Sequence, residues 1–215
     1  MTGVVALVSA ALSLNALPPL PQQGLAVETK AGVQLQTLRG RPIATLPGVH
    51  LAMDQATAHT LVLRNRRGKL FALNVSARRL LPRTAHRGCR TTDVELVVCP
   101  RLIRGKTGVL ARAPGKVGHW VWASRSPRGT EVLAQWSAEC EVPVAYLIAG
   151  GTLRAYGSEA VALGWLPSGA ALIHFPNGPC AGTSHARGIY AVPSAGTARL
   201  MLKTPRFAQY AMWGG

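Results

Sequence analysis

Residues 123–156 read ASRSPRGTEVLAQWSAECEVPVAYLIAGGTLRAY, and residues 163–202 read LGWLPSGAALIHFPNGPCAGTSHARGIYAVPSAGTARLML. Set one above the other, the two segments share a register. Pro127 and Gly129 return as Pro167 and Gly169, and Cys140 returns as Cys180, each 40 residues on. Tyr146 matches Tyr190 at an offset of 44, and residues 151–154 match 196–199 at 45. A period in this range, with several short strands per unit, marks propeller blades.

Each unit reads as strand, turn, strand, loop, strand, turn, strand. In Pro-x-Gly the proline presets φ and the glycine frees a later position. TEVLAQW and AALIHF follow as apolar strands, then a loop carrying the cysteine, then VAYLI or GIYAV, then a glycine turn into TLRAY or TARLML. No window after residue 30 holds a convincing helical period.

These units resemble blades of the TolB-like or WD40-like β-propeller repeat. That family's pattern is an apolar strand, W-S-P-D-G, an apolar strand, then I-Y-x-x-x-x-x-G-x-x-x-x-L. SRSPRG (124–129) and GWLPSG (164–169) fill the turn; AYLIAGGTLRAY and IYAVPSAGTARLML fill the later part. The turn aspartate is replaced by Arg128 and Ser168, and only the second unit has the tryptophan, Trp165. The motif is structural in that family, so the resemblance, which covers about residues 118–204, implies no catalytic residue.

The first half carries only the rhythm. LVLRNRRGKLFALNV, from residue 61, reads as a hairpin turning at NRRG, and DVELVVCP and TGVLARAP are strand candidates. The expectation is an all-β, β-propeller-like domain over residues 27–215, with about four blades of four antiparallel strands. Four is the low end for propellers, and an incomplete one would expose strand edges. An open β-sandwich is the alternative.

Val4 to Leu17 form an apolar run of signal-peptide length, and Gly24-Leu25-Ala26 is a small-x-small pattern suited to signal peptidase. Residues 1–26 are therefore expected to be a signal peptide or an N-terminal anchor, with the domain secreted, periplasmic or on the cell surface. The only positive charge before the run is the amino terminus.

The four cysteines, Cys89, Cys99, Cys140 and Cys180, include no CxxC pair, which disfavours zinc. Disulfides in an oxidising compartment are the better reading, with three pairings open. Equivalent loops on neighbouring blades would join Cys140 to Cys180, leaving Cys89 with Cys99 as a short local closure.

The net charge is +16, from 24 Lys and Arg against 8 Asp and Glu. Residues 64–116 hold 14 of the cations and only Asp93 and Glu95 in opposition. This favours anionic partners. Phe71 is the one aromatic there, so a single-strand nucleic-acid surface lacks its stacking platform. Nucleic acid is disfavoured as a partner, and membrane contact is expected only through an uncleaved N-terminal segment.

Catalytic constellations are weak. Glu139 and Glu141 flank Cys140 on a loop, and Asp93 and Glu95 sit among cations, where ion pairing is the simpler account. Cys180 has His174 and His185 nearby, but its counterpart Cys140 lies in QWSAECEV without a histidine. A shared cysteine with unshared histidines fits structure better than nucleophilic chemistry. The six histidines show no HExxH or HxH spacing, no GxSxG occurs, and no metal or cofactor is expected.

Trp120 and Trp122 lie two apart, so on a regular strand they share a face. With Arg125, Arg128 and Trp165, and with His185 and Arg187 in the loop longer in the second unit, they form the candidate contact set. Packing between blades is the heavier alternative for the tryptophans. The function expected is non-catalytic recognition of a protein or anionic ligand through blade-end loops. The alternatives are an extracytoplasmic hydrolase or lyase with unidentified catalytic residues, and a basic surface for nucleic acid or anionic wall polymer.

Overall fold

The computed structural model describes residues 17–53, 57, 60–85, 88–93, 95–138, 142–176, 186–206 and 208–214. They form five antiparallel sheets of four strands each. The fold is all-β and β-propeller-like, with five blades. It divides into two compact units, one from Met1–Ala85 with Ala208–Gly214, the other from His86–Phe207.

In the first unit, β1 (Gly24–Thr29), β2 (Gly32–Gln36) and β3 (Pro42–Pro47) make three strands of blade 1. The fourth is the last strand of the chain, β20 (Tyr210–Trp213), paired along β1 from Gly24 opposite Trp213 to Val27 opposite Tyr210. Blade 2 is β4 (Val49–Leu51), β5 (Val62–Asn65), β6 (Leu70–Asn74) and β7 (Arg79–Arg83). Leu35, Leu46, Leu63, Leu73 and Trp213 share a core between the two blades, and Leu17 packs into it. The Trp213 indole N–H donates to the Pro21 carbonyl at 3.2 Å. Glu28 also joins the blades, accepting from Leu51 N at 3.0 Å and pairing with His50 Nδ1 at 2.9 Å.

The second unit is contiguous. Blade 3 is β8 (Arg90–Asp93), β9 (Leu96–Cys99), β10 (Leu102–Gly105) and β11 (Gly108–Arg112). Blade 4 is β12 (His119–Arg125), β13 (Glu131–Ser137), β14 (Pro143–Ala149) and β15 (Thr152–Ser158). Blade 5 is β16 (Val161–Trp165), β17 (Ala171–Phe175), β18 (Gly188–Val192) and β19 (Arg199–Leu202). β13 and β17 are buried on both faces, which explains why they read as continuous apolar runs rather than alternating ones. Both Pro-x-Gly turns form as read: Gly129 N donates to Ser126 O and Gly169 N to Leu166 O, at 2.8 and 2.9 Å, with φ of 74° and 84°. The NRRG turn is equivalent without a proline, closed by Gly68 N to Asn65 O at 2.9 Å. Asn65 Oδ1 rigidifies it by accepting from Arg67 N and Lys69 N, each at 3.0 Å.

Two sequence expectations change. The blade count rises from about four to five, because blade 1 begins at Gly24, inside the stretch read as leader, and finishes at the other end of the chain. No contiguous repeat exists there to be read. Residues 1–16 lie outside the described residues. The second change is in β12, where a bulge between Trp120 and Trp122 breaks the alternation. Trp120 pairs with Trp136, whereas Trp122 pairs with Gln135, so the two tryptophans point to opposite faces.

The Cys89–Cys99 disulfide forms, linking the residue before β8 to the end of β9. Cys140 and Cys180 lie outside the described residues.

Candidate binding groove

Each blade of the second unit has two ends. One carries the turns between its first and second and its third and fourth strands. The other carries the turn between its second and third strands and the connection to the next blade. This arrangement sorts the candidate contact residues. Arg125, Arg128 and Trp165 lie at the first end, and Arg187, exposed just before β18, lies at the second. His185 is outside the described residues.

The three tryptophans are 3–4% exposed and serve packing between blades rather than a solvent-facing surface. Trp120 meets Trp136 edge-on at 5.1 Å and Tyr146 at 5.6 Å between ring centroids. Its indole N–H is buried without a hydrogen-bond partner among the described residues. Trp165 donates to the Ser124 carbonyl at 3.1 Å, tying blade 5 to blade 4, and Gln135 Oε1 adds a second tie by accepting from Ala162 N at 2.7 Å. Arg125 is also committed, its Nε 3.5 Å from Glu95 Oε2 and its Nη1 donating to Gly129 O at 3.2 Å.

Glu131 and His174 are held structurally. Glu131 Oε2 accepts from Ser194 Oγ at 2.7 Å, a link between blades 4 and 5. His174 is 1% exposed, with Nε2 3.2 Å from Thr204 Oγ1, and burial pushes its pKa down to about 4. It is a neutral core histidine at physiological pH. Among the described residues no three His, Cys, Asp or Glu side chains gather as metal ligands.

What the second end does hold is an open groove of about 370 Å³ between blades 3 and 4. One wall is the β11–β12 loop, with Pro114, Lys116 and Val117; the other is formed by Trp136, Ala138, Val144 and Tyr146. The loop is latched from beneath by Arg101, which donates to Gly115 O at 2.6 Å and Gly118 O at 3.2 Å. Its guanidinium also lies 5.6 Å from the centre of the Trp136 ring. Backbone bonds fix both loop ends, Ala113 N to Arg101 O and Trp120 N to Pro100 O, at 2.8 and 3.1 Å. At Gly118, φ is 106°, and a Cβ would collide with the Ser137 carbonyl and the Trp136 ring. Glycine is therefore required where the loop lies down on blade 4.

The latch leaves Val117 standing in solvent at 59% exposure, beside an exposed Lys116. Burial pushes the Tyr146 phenol up, so it stays protonated at the groove wall. Of these residues the sequence marked Trp136, as the end of the strand TEVLAQW, and Tyr146, as the counterpart of Tyr190, neither of them as part of a groove. The available signal was APGKVG (113–118), a Pro- and Gly-rich loop that carries an apolar side chain in its middle. Comparison with protein-family models and with curated proteins finds no match to the chain.

Proposed function

We propose that this chain is a non-catalytic, extracytoplasmic recognition protein of TolB-like or WD40-like propeller type. It binds a protein or anionic ligand through the blade-end loops that carry the groove. The observation behind this reading is the latched β11–β12 loop, which presents an apolar side chain and a cation beside a pre-formed cavity. Binding sites are concave, mostly apolar and largely pre-formed, with a few placed polar groups. The Cys89–Cys99 disulfide supports an oxidising compartment. The repeat motif at SRSPRG and GWLPSG supports the family type.

The test is a screen of charged and neutral small molecules and short peptides against the purified full chain, read by the indole N–H signals in two-dimensional NMR. Ligands should move the Trp136 signal and leave the Trp165 signal in place. A screen in which every responding compound moves Trp165, or none moves Trp136, would defeat the reading.

A further inference from the structure

The groove has features that narrow what fills it, given the proposed reading that it is the recognition site. Its volume stands near the low end of the range for ligand sites, about 300–1,000 Å³, and it is open on one side. A free small molecule there would keep much of its surface in water. A side chain projecting from a longer chain suits such a site better, because the rest of the partner can cover the opening.

Charge points the same way as shape. Lys116 has no ion-pair partner among the described residues, and Arg101 spends its hydrogen bonds on carbonyls while keeping its positive charge beside Trp136. In the groove's own unit, blade 3 and the groove loop carry Arg90, Arg101, Arg104, Lys106, Arg112 and Lys116 against Asp93 and Glu95. Acidic groups beside an apolar anchor would be attracted by this field and steered toward the groove.

Nucleic acid would use the charge without the groove. Trp136 is 2% exposed and offers no open face for a base to stack on. The exposed apolar element is Val117, an aliphatic side chain suited to an apolar residue of a partner.

We propose that the groove takes one large apolar side chain from an acidic segment of a partner protein. The anchor fits against Val117, Val144 and Tyr146, and carboxylates next to it face Lys116.

The experiment uses the full chain and a dye-labelled probe peptide, Asp-Glu-Phe-Asp-Glu, measured by fluorescence anisotropy. Parallel probes replace the Phe by Ser, or the acids by Asn and Gln. Protein variants are Val117→Ser and Lys116→Gln, with Arg154→Gln, exposed at the opposite end of blade 4, as a control. Near-UV circular dichroism checks that each variant is folded; Val117 and Lys116 are exposed, so each should be. Loss of the anchor, from either side, should weaken binding by about fivefold or more, as for a central interface residue. Loss of the acids or of Lys116 should also weaken it, and Arg154→Gln should not.

Other results overturn the proposal in distinguishable ways. Equal binding of the neutral Phe peptide removes the acidic partner but leaves recognition at the groove standing. Equal binding of the Ser peptide, with displacement by duplex DNA and a steep salt dependence, makes the surface a general polyanion binder. If no probe binds at millimolar concentration, the acidic-segment proposal falls; the reading of the groove itself falls only if the Trp136 indole signal is also unmoved across the wider screen.

Discussion

Blades 1 and 4 have the same four-stranded antiparallel build, yet they are written in the chain in opposite ways. Blade 4 is continuous from His119 to Ser158 and announces itself with a Pro-x-Gly turn. Blade 1 takes β1–β3 from one end of the chain and β20 from the other. Each uses tryptophan in its core: Trp120 and Trp136 form an edge-on cluster in blade 4, and fully buried Trp213 caps blade 1 with a bond to Pro21. The repeated entity is thus a pattern of pairing and burial, not a string of residues. Contiguity alters only the chain entropy of assembly, since blade 1 must close a very long loop before it gains its fourth strand.

The difference can be broken most forcefully at Trp213. Trp213→Ala should cost about 3–5 kcal/mol, the usual range for emptying a buried aromatic site. Hydrogen exchange should then show amides of β1 and β2 losing protection before those of β13 and β14. Equal loss in both blades would mean that their stabilities are not separable.

A second probe acts on the contiguous unit alone. His174 titrates at about 4 in the folded chain, against an ordinary value near 6.5 when unfolded. Its folded pKa is depressed, so protonation favours the unfolded state. The neutral form's contribution is intact above about pH 6.5 and is lost progressively as pH falls toward 4, amounting at most to roughly 3 kcal/mol. Denaturant unfolding of the protein between pH 7 and 4 should show this slope, and His174→Gln should flatten it. An unchanged slope in the variant would remove His174 as its source.

Blade 3 is the only blade with a covalent clasp among the described residues, at Cys89–Cys99, where blade 1 relies on strand pairing. Replacing both cysteines by serine should cost about 2–3 kcal/mol for so short a loop. Thiol titration of the unreduced, unfolded protein checks the bond itself, and four free thiols would exclude it. The smallest effect is expected at the half-exposed Glu28–His50 pair. Glu28→Gln should lower stability by less than about 1 kcal/mol, measured by thermal unfolding; a larger loss would make Glu28 a principal tie between blades 1 and 2.

Strand rhythm carried much of the architecture because blade strands are short, apolar and punctuated by turns that Pro, Gly and Asn make recognisable. It gave the turns at 126–129, 166–169 and 65–68 and the all-β class. It missed a blade because pairing between Gly24 and Trp213 leaves no local trace. It set Trp120 and Trp122 on one face because a bulge is invisible to period-two counting. The groove was less legible still. Arg101 reaches Gly115 and Gly118 through folded geometry, and nothing in the spacing of those residues requires it. Among the contact residues expected, Arg125 proved committed to Glu95, an acid already read as ion-paired but without its partner named.

The pairing of β1 with β20 has a consequence for synthesis. β1, β2 and β3 leave the ribosome before blades 2 to 5, yet the fourth member of their sheet, β20, follows those blades. While blades 2 to 5 emerge, one hydrogen-bonding edge of β1 waits without its partner, an open template for another nascent chain. Completing that edge is the step in which residues made after blade 5 secure strands made before blade 2. Termination before β20 would therefore damage blade 1 more than blade 5, which precedes β20 directly in the chain.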